Sequence, residues 1–537
     1  MEYTSTRRMP VDILLSGSYA GDDPFAASLY GEFAQAEGET LRIPGFYKGD
    51  GQWAVRFSAA DDSEWSYRVI SDEITFTSKA SGTVQVRGET EGATHALAVK
   101  GTRFVNDAGQ PVLYLGHECN FLFSMVGSPN GREKLETFVC NLKKGGFNLV
   151  QVNSFAVDTS WNKGRTTEND YGPPYIELWD ANKQGHKLNA SFFDDYDWMV
   201  DYLHKNGIYI SIYLRVYNKY VDWPAKLSPD EDTYLLHFAA RYQAYPNVIW
   251  CISKEAYYET DRNYLYRIMS KVRDNDAYHR LCTIQDGLQY ALDEQYAHTV
   301  DFLVNQQHGE WAHATMYYTL RTQKPVIMGE GGPECGPFGI LDSTGFPCWT
   351  AEQCVANAYE AVMGGGYYQY YHIYMSWDII DYDLLPAGYR YFRQMQDFFS
   401  QFRMDQMAVV PELCPFGSSA KCMDDGECTL LVYLEPKGTE PYLDYHFDHL
   451  LMHPNDSGRR FLSYRRFGIY TNKTTDYTPT LIESGHCCNY FDDENSAHVE
   501  TMKSSVILRA DPKEPVIYII NYEKTPCPGM PNAAKGN

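Results

Sequence analysis

The sequence predicts a multidomain protein of α/β plus all-β class, in which a (β/α)8 TIM barrel is flanked by an N-terminal β-sandwich and a C-terminal β-sandwich. Three observations carry this reading. Residues 1–98 show short alternating segments separated by turns, residues 99–402 alternate short apolar runs with amphipathic stretches, and residues 403–537 return to short β runs. At 537 residues the chain is also far beyond the size at which one hydrophobic core keeps growing.

In the first region Trp53–Phe57 and Trp65–Val69 alternate apolar with polar, and Lys48-Gly-Asp-Gly51 supplies a turn. Helical periodicity is nearly absent, as in an antiparallel sandwich of immunoglobulin-like size. A hairpin signal from Phe104 to Gly116 leads into the barrel. Buried parallel strands read as short hydrophobic runs. Such runs follow at Leu149–Val152, Tyr209–Leu214, Val248–Ile252, Leu281–Ile284, Phe302–Asn305, Val326–Gly329 and Tyr367–Tyr374, which with the first makes eight. Amphipathic stretches such as Glu133–Lys144 and Phe192–Asn206 lie between them, each stopped by glycine, and Asp158–Asn189 reads as a long loop. Beyond Phe402, Cys428–Tyr433 and Pro515–Ile520 are β runs, and the tail from Pro526 reads as frayed.

Composition narrows the function. A hydrophobic fraction of 44% with 22% charged residues is that of a folded globular chain. The 44 Tyr, 26 Phe and 10 Trp supply flat rings that suit the apolar faces of sugars as well as core packing. A formal charge of -24 repels phosphate backbones and anionic lipid, so neither nucleic acid nor membrane is an expected partner. No stretch reaches the roughly 18 apolar residues of a spanning helix. Met1–Pro10 carries no apolar leader, and thirteen cysteines, odd in number and without a Cys-x-x-Cys pair, read as reduced thiols. Both features point to the cytoplasm.

Barrels of this kind place their chemistry at the C-terminal ends of the strands. Asn247-Val-Ile-Trp-Cys-Ile-Ser-Lys-Glu255 ends the fourth strand in a carboxylate, and Lys324-Pro-Val-Ile-Met-Gly-Glu330 ends the seventh, across the barrel mouth. Hydrolysing a glycosidic bond with retention needs one carboxyl group to protonate the leaving oxygen and another to attack the anomeric carbon, about 5 to 5.5 Å apart. Glu330, flanked by Gly331 and Gly332 that let a sugar approach the backbone, suits the nucleophile. Glu255 suits the acid that later acts as base. The other strand ends offer His117, Asn120 (with Glu118), Asn153, Tyr217, Lys254, Gln307, His308 and Trp377 as substrate-binding candidates. Glu259 and Glu334 are rival carboxylates, each about four residues into a loop, where placement is less rigid. His446, His449 and His453 read as a loop without a shared helical face, so no metal or other cofactor is expected. The expected partner is an oligosaccharide or glycoside substrate, with a homo-oligomer left open.

These strand-end carboxylates, together with Tyr114-Leu-Gly-His117 and Phe193-Asp-Asp-Tyr-Asp-Trp198, resemble the clan of retaining glycoside hydrolases, and most closely the apiosidase-like barrels that carry an N-terminal β-sandwich. The resemblance covers roughly Val11 to Phe402 and implies a retaining O-glycosyl hydrolase with Trp377 under the reactive sugar. In that clan an Asn usually precedes the acid/base and holds the sugar's 2-hydroxyl; Lys254 stands there instead. The exchange implies an acidic or unusual sugar, a lowered pKa for Glu255, or lost activity. A carbohydrate-binding pseudoenzyme is therefore one alternative, and a metal-dependent barrel hydrolase or isomerase using His117, Glu118, His308 and His372 is another.

Overall fold

A computed structural model of the chain describes residues 1–38, 40–157, 167–286, 297–306, 311–334, 348–413, 420–435, 449–452, 459–483 and 504–524. The chain divides into two compact units, one made of Met1–Gly309, Tyr318–Cys354 and Tyr367–Arg393, the other of Glu310–Tyr317, Val355–Gly366 and Gln394–Asn537.

The first unit begins with a five-stranded and a four-stranded sheet whose inner faces share one core. In Ser63–Ile70 the residues Trp65, Tyr67 and Val69 are buried while Glu64, Ser66 and Arg68 face out, so period-2 alternation alone dictates which side packs. Phe33 stacks on Phe57 at 4.4 Å between the sheets. Gly49, Asp50 and Gly51 all take positive φ, which is what a turn of that composition supplies.

A hairpin of Leu97–Lys100 and Arg103–Asn106 leads into the barrel strands. These are β1 (Leu115–Glu118), β2 (Leu149–Asn153), β3 (Tyr209–Tyr213), β4 (Val248–Cys251), β5 (Cys282–Thr283 continued by Gln285–Asp286), β6 (Leu303–Asn305), β7 (Val326–Met328) and β8 (Tyr367–Tyr370). Every neighbouring pair is parallel, and β8 pairs with β1. The first half of β5 bonds to β4 and the second half to β6, so this one segment, interrupted at Ile284, closes the ring. Strand eight ends at Tyr370, short of the expected Tyr374, because Tyr371 and His372 leave the sheet to bridge Glu334.

Phe104 of the hairpin joins Tyr114, Leu149, Tyr209, Ile249, Phe302 and Ile327 in an apolar plug at the N-terminal end of the barrel. Higher inside, Gln151 of β2 accepts from Tyr213 of β3 and Gln369 of β8, so polar side chains already fill the middle layer. Outside the strands run helices α1 (Gly131–Lys144), α2 (Phe192–Lys205) and α3 (Pro229–Tyr242). The sandwich is clamped to this layer by Arg56, which is 4% exposed. Arg56 donates to Asp12 at 2.7 and 3.0 Å, to Asp197 of α2 at 3.0 Å and to the Arg241 carbonyl of α3 at 2.8 Å.

In the second unit Thr429–Leu434 and Val516–Lys524 pair antiparallel in a six-stranded sheet, and Leu430, Val432, Leu434 and Ile520 pack against Val506 and Leu508 of a three-stranded sheet. His449 starts a strand of that smaller sheet instead of lying in a loop, while His446, His453 and the tail from Pro526 lie outside the described residues. Among the described residues no helix is long and apolar enough to cross a membrane.

Candidate active site

Side chains two residues apart on a strand share a face, so the residues above Gln151 and Gln369 point into the barrel mouth. These are Asn153 on β2 and Tyr371 beyond β8, joined by Glu118 of β1, Gln285 of β5 and Glu330 beyond β7. Glu255 arrives differently. Past β4 it takes a left-handed conformation, φ 54° and ψ 50°, before a short turn over Ala256–Tyr258. For a residue other than glycine this costs about 1 to 3 kcal/mol, a strain typical of functional sites. The preceding residue anchors it, the Lys254 amide donating to the Arg215 carbonyl at 2.8 Å.

The carboxylates are tied together by amides and one lysine. Gln306, directly after β6, donates from Nε2 to Glu255 Oε1 at 3.2 Å and to Glu330 Oε2 at 2.9 Å. Asn218 Nδ2 donates to Glu255 Oε1 at 2.7 Å. Glu330 Oε1 accepts from Lys254 Nζ and from Gln285 Nε2, each at 3.1 Å. Lys254, 1% exposed, also donates to Glu118 Oε1, which accepts from Asn120 Nδ2 at 2.6 Å as well.

Burial pushes the Glu255 carboxyl up; Lys254 opposes, Glu330 adds, and the net shift is upward. Burial likewise raises Glu118 to about 7 against the pull of Lys254. For Lys254 burial favours the neutral form, but Glu118, Glu330 and Glu255 outweigh it and the ammonium is held charged. Lys219, also buried, is lowered to about 8 by desolvation and by Lys254.

Of the sequence candidates, Asn120, Asn153, Lys254, Glu255 and Glu330 come together here. Tyr217 sits beside them, its hydroxyl donating to Glu259 at 2.7 Å. Trp377 is half-buried with its ring 6.3 Å from that of Tyr371. Gln307 and His308 lie outside the described residues. His117 is not part of the cluster: its ring packs among Phe138, Phe147, Tyr370 and Tyr389 on the helix side of β1, because it is one residue out of phase with Glu118. His372 accepts from the Tyr374 amide at 3.1 Å, closing a turn. The rivals are occupied elsewhere. Glu259 accepts from Lys226 and the Asp261 amide, and Glu334 from Tyr370 at 2.8 Å and the Gly388 amide at 3.1 Å.

The glycines after Glu330 also differ from expectation. A Cβ on Gly331 would lie 2.7 Å from the Tyr368 hydroxyl, and one on Gly332, at φ +106°, 1.4 Å from Trp349 Nε1. They accommodate protein side chains rather than a sugar. Among the described residues no group of three or more His, Cys, Asp or Glu is placed to hold a metal. Sequence reading missed Gln285, Gln306, Asn218 and Lys219. Gln306 had a signal, since it follows the apolar run of β6 directly.

An eight-stranded parallel barrel behind a β-sandwich, with carboxylates at the ends of strands four and seven, defines the class as barrel glycoside hydrolases. A model of the family "Apiosidase-like, catalytic domain" matches residues 99–381, more than half of the chain, and the chain belongs to that family. A domain of unknown function (DUF5060) matches residues 9–72 in the sandwich. Among solved structures, a protein of Bacteroides vulgatus ATCC 8482 assigned to the glycoside hydrolases superposes with TM-score 0.72 at 16% identity, covering 97% of this chain and 100% of its own. A family 5 glycoside hydrolase from the same organism gives TM-score 0.55 at 16% identity over 80% of this chain and 96% of its own. At these identities the likeness is one of fold. No curated protein matches the chain.

Proposed function

We propose that the protein hydrolyses glycosides with retention of anomeric configuration, Glu330 acting as nucleophile and Glu255 as acid and then base. The single observation that carries this is Gln306 Nε2, bonded to both carboxylates at 3.2 and 2.9 Å. One nitrogen bonded to both oxygens keeps them within about 6 Å of each other. That is compatible with the roughly 5 to 5.5 Å of retaining enzymes and falls short of the roughly 6.5 to 9.5 Å that leaves room for an inverting water.

In the first step the Glu330 carboxylate attacks the anomeric carbon, the glycosidic C–O bond breaks, and the Glu255 proton passes to the leaving oxygen. In the second, the Glu255 carboxylate takes a proton from water, the water oxygen attacks the anomeric carbon, and the bond to Glu330 breaks. The environments suit these roles. Three N–H donors, one of them charged, orient the Glu330 carboxyl group, while burial favours the protonated form of Glu255. Lys254 thus acts as counter-ion to Glu330 and Glu118, which favours turnover over the pseudoenzyme reading. We place the activity in the cytoplasm, a setting supported by the sequence, whose thirteen cysteines are odd in number and hold no Cys-x-x-Cys pair.

The test is stereochemical. Proton NMR during early hydrolysis of an aryl glycoside should show the substrate's own anomer forming first. First appearance of the opposite anomer would sink the retaining assignment.

A further inference from the structure

Asn153 is fully buried at the end of β2, on the inward face shared with Gln151, and its backbone amide donates to the Asn120 carbonyl at 3.0 Å. Neither Nδ2 nor Oδ1 of its side chain has a hydrogen-bond partner among the described residues. The same holds for Asn120 Oδ1 and Glu118 Oε2, both on fully buried side chains. Folded proteins leave few such atoms unpaired. Here they gather on adjacent strand ends, in or beside one bonded chain that runs from Asn120 through Glu118 and Lys254 to Glu330. A carboxamide offers donor and acceptor side by side, the complement of neighbouring hydroxyls on a sugar ring.

The charges narrow the ligand further. Lys254 is engaged by Glu118 and Glu330, and Lys219 faces Asp378, Glu118 and Glu255 as well as Lys254. Among the described residues four carboxyl groups thus confront two ammonium groups, with no cation there in surplus for an acidic substituent.

Resting on the glycosidase reading, we propose that Asn153, with Asn120 Oδ1 and Glu118 Oε2, recognises hydroxyls of a neutral sugar seated against Glu330, and that this position rejects a sugar carrying its own carboxylate. Lys254 therefore does not signal an acidic glycone, since its charge is spent inside the protein. Asn153 is a specificity residue: a site built to bond hydroxyls discriminates strongly against a ring that leaves its amide unpaired.

The test uses the full chain and matched aryl hexopyranosides and aryl hexuronides. Wild type should cleave the neutral member at least 100-fold better in kcat/KM. Asn153→Leu, close in volume, should lose at least 100-fold on that substrate while its Tm stays level or rises, because an unpaired buried amide is replaced by an apolar group. A merely structural Asn153 would instead lower Tm and leave KM alone. Asn153→Asp, which keeps the shape but removes the donor, should lose activity similarly. Preference for the uronide, or Asn153→Leu within threefold of wild type, would overturn the inference even if Glu255→Ala and Glu330→Ala are inactive. Full activity in those two variants, or no turnover of any glycoside by wild type, would overturn the glycosidase reading and this inference with it.

Discussion

Replacing Lys254 by Met tests how the site tolerates a lysine in the position where the resembling clan carries an Asn. Nζ lies 3.1 Å from Glu330 Oε1 and bonds Glu118 on its other side, with 1% of the residue exposed. At an effective dielectric near 20, a unit pair at that distance is worth about 5 kcal/mol. Relief of the lysine's own desolvation offsets part of this, and removing one partner of a buried pair typically costs about 3 to 5 kcal/mol. The protein can evade the cost only by protonating its carboxylates. Glu118, already raised to about 7, becomes neutral near pH 7, and Glu330 loses the charged donor that orients its Oε1. Loss of that donor should lower kcat/KM at neutral pH by roughly 10² to 10³. Lys254→Met/Glu118→Gln, which removes both charges, should melt higher than Lys254→Met alone. Kinetics on aryl glycosides at pH 7 read the loss. A kcat/KM within threefold of wild type would refute the counter-ion role.

Other perturbations give separate readouts. Arg56→Met removes one of two cations from Asp12 and from Asp197 in the seam between sandwich and barrel, leaving Lys48 and Arg241 on them, at a cost of about 1.5 to 3 kcal/mol; a thermal melt should drop by roughly 5 °C, and an unshifted melt contradicts the clamp. His204, buried against Thr94 and the Arg8 carbonyl, is lowered from 6.5 to about 4, chiefly by desolvation. The unfolded chain then binds the extra proton between those pH values, so stability is full above about 6.5 and falls by on the order of 3 kcal/mol toward pH 4. Urea midpoints at pH 4.5 and 7 should differ less in His204→Gln; an equal difference removes His204 as the cause. Tyr257, exposed beside the site and ring-paired with Tyr258 at 4.6 Å, lowers Glu255 through a hydrogen bond. Tyr257→Phe should move the basic limb of kcat/KM to higher pH, and a shift to lower pH would contradict the contact.

The fold was legible wherever one residue's burial is set by period alone. Trp65, Tyr67 and Val69 announce their face, and the runs at β2, β3, β4 and β7 mark buried strands because parallel strands covered on both sides must be apolar. Glu255 and Glu330 were readable as the first carboxylates past such runs. His117 was not, since one position along a strand turns a side chain from mouth to helix layer and β1 begins at Leu115 rather than earlier. Gly331 and Gly332 misled because their neighbours, Tyr368 and Trp349, are distant in sequence. The ionic role of Lys254 depends on Glu118, 136 residues away, which no local pattern discloses.

The central claim, that Glu330 attacks and Glu255 supplies the proton, is tested most directly by azide rescue of Glu255→Ala and Glu330→Ala on an aryl glycoside with a good leaving group. Glu255→Ala should yield a glycosyl azide of retained configuration and Glu330→Ala one of inverted configuration. The reverse pairing, or undiminished hydrolysis by either variant without azide, would contradict it.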